Sequence, residues 1–307
     1  MKWKSVTIRC WMKLDNPTPK ASQPTPMAKV FFGDVIQMAR SIGGIAPPIL
    51  GTGGNMLQTI AIALSIISGS IILIILSRLS WLKFRRFRNL SPSLDLEWVE
   101  DCKGLCQAKF DGSIVELTDL RDFTWTSKRD HDGKWITTKV NVDKIVDVWY
   151  IVDHFHDIKG LAHTMLSFEF EDGQFISFSF ETRRELGERY HPWDGLWRAY
   201  ELYLVVSTES DALALRTNQR KHKVHLFRAT PQPGNDKALF LALCNRANEL
   251  ATNPEWYHTL TSSCTTAIVD QINLIAPGRI PPMWRTLLPG HSGRAAPRLK
   301  LIQDWGG

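Results

Sequence analysis

From Ser41 to Ser77 the chain carries no charged side chain, and Met56 to Leu76 is an almost continuous apolar run rich in isoleucine and leucine. A helix of about 20 apolar residues crosses the hydrocarbon core of a bilayer because it satisfies its own backbone polar groups. The sequence therefore predicts a single transmembrane helix near 56–77, with Trp81 at one interface. This run lies too far from the N-terminus for an ordinary cleaved signal peptide. The rest of the chain is divided around it. Residues 1–50 form an N-terminal arm, polar and proline-punctuated to residue 29 and then apolar but interrupted, which suits a disordered stretch followed by an interfacial or re-entrant one. Residues 51–95 hold the transmembrane helix and a basic connector that can lie against anionic headgroups. Residues 96–291 form the folded domain, and 292–307 an atypical C-terminal tail rich in Pro, Gly and Arg.

The net charge of +6 is unevenly placed. Residues 1–88 hold twelve Lys/Arg against Asp15 and Asp34, which leaves the remainder near −4. The main domain thus lacks the basic surface that phosphate-backbone binding requires, and no nucleic-acid partner is expected. Arg78, Lys83, Arg85, Arg86 and Arg88 crowd the C-terminal flank of the span. Taken alone, that asymmetry places the large domain on the cytoplasmic side.

Between 96 and 291 the pattern is α+β. Short β-branched or aromatic runs at 113–117, 135–140, 145–151, 201–206 and 224–227 read as strands. His163–Phe170 and Phe175–Thr182 read as a hairpin joined through Glu171-Asp172-Gly173-Gln174. A helix is expected over 236–251, with Leu239, Leu243, Ala247 and Leu250 on one face and Pro254 beyond its end. A second begins at Cys264, capped by Ser262 or Ser263 and continued by Ile268, Ile272 and Ile275.

Cys264 is one of five cysteines, at 10, 102, 106, 244 and 264. An odd total leaves a free thiol, although Cys102 and Cys106 are spaced to pair in an oxidising compartment. A thiol in the first turn of a helix meets unpaired N–H groups and the positive end of the dipole, which favour the thiolate. The plainer reading of Cys264 is a small buried hydrophobe. A cysteine nucleophile needs a base, and His163 at the head of a strand is the candidate, ahead of His258 and His191. Glu181, with Ser179, would orient it. A two-residue Asp172-Gly173 turn would set His163 opposite Thr182 and turn Glu181 to the other face, whereas a three-residue loop or bulge would bring His163 and Glu181 together. Arg183 and Arg184 are candidate substrate-binding forks for phosphate or carboxylate, or else a solvated pair. Asp153-His154-Phe155-His156-Asp157 reads as a polar strand end rather than a metal site. No metal or other cofactor is expected.

His163-Thr164-Met165-Leu166-Ser167-Phe168, Phe180 through Glu188, Gly195 through Leu202, Leu215-Arg216-Thr217, and Asn253 through Thr261 ending in Ser263-Cys264-Thr265-Thr266 follow one another in the chain. In this order, over about 95–291, they resemble the bacterial Lnb N-terminal periplasmic domain family. The resemblance implies a permuted papain-like (NlpC/P60-type) antiparallel sheet packed with helices, in which the histidine strand precedes the cysteine helix. It also implies a periplasmic domain on the inner membrane, opposite to what the arginine flank suggests. The implied activity is bacterial lipoprotein N-acylation through an acyl-thioester on Cys264, with membrane lipid and bacterial lipoproteins as partners. A thiol peptidase or amidase acting on cell-wall peptide is the alternative, and a non-catalytic envelope protein is a third. Two departures from the family pattern stand out. Ser263 replaces the usual Asn before the cysteine, and Gly293 to Arg298 replaces the expected continuation after Ser292.

Overall fold

The computed structural model describes residues 54–87, 90–157, 160–191, 194–282 and 289–303. The expected arm at 1–29, the interfacial stretch at 30–50 and Cys10 lie outside the described residues, as does part of the basic connector. The described chain forms two units, with the boundary between Phe84 and Arg85.

The first unit is helix α1, Gly54–Phe87, as far as Phe84. Within it Gln58–Arg85 contains an 18-residue stretch of mean hydropathy 2.6, none of it buried. A helix of 28 residues is about 42 Å long at 1.5 Å per residue, enough for the hydrocarbon core. Ser65, Ser68 and Ser77 donate back to the carbonyls of Ala61, Ser65 and Ile74, so their hydroxyls need no water. The helix covers the predicted span and continues into its basic flank.

The second unit is α+β. Its strands are β1 (Gln107–Asp111), β2 (Ile114–Trp125), β3 (His131–Asn141), β4 (Ile145–His154), β5 (His163–Phe170), β6 (Phe175–Arg183), β7 (Glu201–Thr208) and β8 (Lys223–Arg228). They form one sheet in the order β1-β2-β7-β6-β5-β4-β8, with β3 also paired to β2. Pairing is antiparallel except for a parallel bridge between Arg121 and Ser207, so the sheet is mixed rather than wholly antiparallel.

Three layers follow from the alternation of side chains along a strand. Phe168 on β5 meets Phe178 and Phe240, with ring centroids 5.6 and 5.1 Å apart. Phe240 belongs to α3 (Asn235–Thr252), which packs on that face with α4 (Cys264–Ile275) around the main core. The neighbouring Ser167 points the other way and donates to Glu209 at 2.7 Å, in α2 (Glu209–Ala214). A π-turn, Leu215–Gln219, continues α2. The carboxylate of Asp211, fully buried in α2, accepts from Arg121, Trp125 and the Phe123 N–H, which ties α2 to β2.

The tail, left unassigned by its sequence, is folded to residue 303. After α5 (Ser292–Ala295) and a 3-10 turn at Pro297–Leu299, Ile302 bridges Ala229 and covers the edge beyond β8. Cys102, Cys106 and Cys244 are free, buried thiols, so Cys102 and Cys106 are not paired. Burial pushes Cys102 up to about 11 and Cys106 to about 12, which leaves both inert at neutral pH.

Candidate active site

Ser263 is the N-cap of α4. Its hydroxyl accepts from the Thr266 N–H, and the Thr266 hydroxyl accepts from the Ser263 N–H at 2.8 Å, forming a reciprocal capping box. Cys264 is therefore the first helical residue, where the backbone N–H groups lack intrahelical partners. The next residue, Thr265, meets the Thr164 hydroxyl at 2.9 Å and so joins the start of α4 to the start of β5. His163 heads that strand, and its ring lies beside the Cys264 thiol.

The histidine ring is fixed on its far side. Nε2 lies 2.6 Å from Ser179 Oγ, and that hydroxyl donates to Glu181 Oε1 at 2.9 Å. Because the single Ser179 proton goes to the carboxylate, its oxygen accepts from His163 Nε2–H. Nδ1 is then the nitrogen left to face the thiol. Glu181 Oε1 is 3.7 Å from Nε2, close enough to stabilise an imidazolium.

The hairpin turn brings these groups to one face. The Phe170 N–H donates to the Gln174 carbonyl and the Gly173 N–H to that of Phe170, which closes a three-residue loop with Gly173 at φ +83°. Only glycine takes that conformation without strain. The resulting register pairs Leu166 with Phe178 and Ser167 with Ser177. Continued along the strands, it sets His163 across from Glu181, the second of the two registers that the sequence allows. On the other side, β4 pairs Asp153 with His163.

Asp153, His163 and Glu181 thus stand side by side on three adjacent strands. The Arg216 guanidinium of the π-turn is buried against this row. Its Nη2 is 2.7 Å from Glu181 Oε1 and its Nε is 3.3 Å from Asp153 Oδ2, with the Arg216 and Asp153 side chains only 3% and 2% exposed. Asp153 also meets His222 Nδ1 at 2.9 Å.

Electrostatics follow from this packing. Burial alone would push the Cys264 thiol up, but the adjoining His163 ring and the Thr164 groups outweigh it and bring it down to about 7. Burial opposes charge on His163 as well, yet the neighbouring Cys264 raises it above its ordinary value. Desolvation of Glu181 is overcome by Arg216 and then His163, which hold the carboxyl well below the usual range. The arrangement favours a thiolate–imidazolium pair, the reactive form of a cysteine nucleophile.

The other candidates lie elsewhere in the packing. Arg183 is buried, donates to the carbonyls of Cys102 and Lys103, and stacks over Trp98 at 4.1 Å. Arg184 pairs with Asp101. Both guanidiniums are tied to the 98–103 segment, Arg183 from a buried position and Arg184 with 35% of its side chain exposed. His258 Nδ1 accepts the Leu260 and Thr261 N–H groups and shapes the loop ahead of α4. Asp153 and His222 belong to the buried row, although in the sequence Asp153 reads as part of a polar strand end and His222 carries no local signal. Arg216 is visible in the sequence only within Leu215-Arg216-Thr217, and Tyr150 only as a strand residue. The Tyr150 hydroxyl bonds Ser292 at 2.7 Å.

Residues 131–290, more than half of the chain, match the Lnb N-terminal periplasmic domain family. The chain belongs to that family, with an apolar helix ahead of the domain that is long enough to anchor it in a membrane. A periplasmic, envelope-associated protein accords with this membership better than the cytoplasmic placement suggested by the arginine flank. No curated protein and no solved structure matches the chain.

Proposed function

From that family membership, we propose that the chain is a cysteine-dependent acyltransferase of permuted papain-like type, anchored in the bacterial inner membrane by α1, which N-acylates lipoproteins at the expense of phospholipid. The observation that carries this reading is the Cys264 thiol at the start of α4, held beside a His163 ring whose Nε2 is fixed through Ser179 to Glu181. The order of a histidine strand before a cysteine helix supports the papain-like permutation.

In the first half-reaction the Cys264 thiolate attacks an ester carbonyl of the donor lipid. A carbon–sulfur bond forms, the carbon–oxygen bond breaks, and His163 gives its proton to the departing lysolipid oxygen. In the second, the amino group of a lipid-modified cysteine attacks the thioester carbonyl. The amide carbon–nitrogen bond forms, the carbon–sulfur bond breaks, and His163 takes the amine proton, which restores the thiolate–imidazolium pair. The Cys264 and Thr265 N–H groups, in the first turn of α4, hold the oxyanion of both tetrahedral intermediates.

Intact-protein mass spectrometry of the full chain in phospholipid vesicles tests this. The expected result is an acyl adduct on the wild type that is absent from Cys264→Ala. Cleavage of a muropeptide with no such adduct would replace acyl transfer by the cell-wall peptidase or amidase reading, since the same dyad serves both.

A further inference from the structure

Between the sheet and α4 lies a cavity of about 140 Å³. Its wall is almost wholly apolar and includes Leu166, Ile268, Ile272, Leu299 and Ile302, with the tail after Ser292 closing one side. Tyr150, Thr265 and Ser292 also line it. These three mark the end nearest the thiol, because Thr265 follows Cys264 with its hydroxyl 3.9 Å from the Cys264 sulfur, and the Tyr150 hydroxyl bonds Ser292.

We propose that this cavity receives the hydrocarbon chain of the acyl group while its carbonyl carbon sits at Cys264. The inference rests on the acyl-transfer reading and adds the subsite that selects the donor. A peptide occupant would need partners for each backbone N–H and carbonyl, and this wall supplies few polar groups. A methylene chain needs none. At 10–15 Å³ of such space per water-sized occupant, the cavity holds roughly ten, which corresponds to a chain of about ten carbons.

The test uses the full chain in lipid nanodiscs and p-nitrophenyl esters from acetate to dodecanoate. The Cys264 thiolate displaces p-nitrophenolate, the carbon–sulfur bond replacing the carbon–oxygen bond, and the rate of adduct formation is followed against chain length. The rate should climb by up to about fourfold per methylene as each is taken out of water, and level off near ten carbons. Ile272→Trp fills the cavity and should bring the plateau several carbons earlier. Ile272→Ala enlarges it and should move the plateau later. Leu274→Trp, on the exposed side of α4, should keep the wild-type profile. Rates independent of chain length, or profiles of both Ile272 variants that superimpose on the wild type, would overturn the proposal.

Failure of the acyl-transfer reading would look different, as an absence of adduct from every ester, acetate included. The cavity is then read directly in Cys264→Ala by the fluorescence of cis-parinaric acid. Adding Ile272→Trp should weaken binding tenfold or more, and equal binding in the two proteins would refute occupancy.

Discussion

The hydroxyls of Thr164 and Thr265 meet at 2.9 Å, although 101 positions separate them in the chain. Each directly follows one member of the reacting pair, so this bond fixes the heads of β5 and α4 against each other. Both side chains are buried, and removing one leaves the other short of a partner. Thr265→Val should therefore cost on the order of 1–3 kcal/mol of stability. Thr164→Val with Thr265→Val should cost less than the sum of the single changes, a coupling that a double-mutant cycle in urea unfolding would read.

Alkylation of Cys264 by iodoacetamide should follow the thiolate and rise with a midpoint near pH 7, where the His163 pairing holds the thiol. His163→Ala removes the largest influence opposing burial, and the midpoint should move upward past the ordinary thiol value. An unchanged midpoint would separate the two side chains in solution.

Arg216 balances two carboxylates. Arg216→Leu leaves Asp153 to His222 and takes the guanidinium from Glu181, and should destabilise the domain by about 3–5 kcal/mol, as seen in thermal unfolding. Arg216→Lys should recover only part of this, because one ammonium cannot span both acceptors as a planar fork does.

Glu181 has a pH signature of its own. Its folded value lies below the unfolded 4.5, so the stability it contributes is complete above that pH and is lost as pH falls through the folded value. The stability gap between wild type and Glu181→Gln should therefore be widest near neutrality and narrow steadily in acid. A gap that stays constant with pH would contradict the ion pair with Arg216.

Ser263 serves as a helix cap, and asparagine caps about as well as serine. Ser263→Asn, which exchanges one good N-cap residue for another, should hold stability within about a few tenths of a kcal/mol, whereas Ser263→Ala should cost about 1 kcal/mol. Denaturant midpoints of the two variants would distinguish the roles.

The elements with strong local signals were legible in the sequence. The membrane helix, the 163–182 hairpin and the helix at Cys264 each follow from periodicity, and the thiol, imidazole and carboxylate were all within reach of that reasoning. The buried row was not. Asp153 and Arg216 are charged residues inside a domain, against the usual sorting, and Arg216 sits on a six-residue helix and π-turn too short to show a helical period. The tail likewise folds through contacts with residues some 70 positions away, which no local pattern records.

The loop at Glu171–Gly173 has an evolutionary corollary. Inserting or deleting one residue there would rotate β6 by half a turn, presenting Phe180 to the imidazole and burying Ser179 and Glu181 among the phenylalanines. A related chain that keeps the chemistry should keep the number of residues here, with one tolerant of positive φ at 173, and an alignment gap at this point predicts its loss.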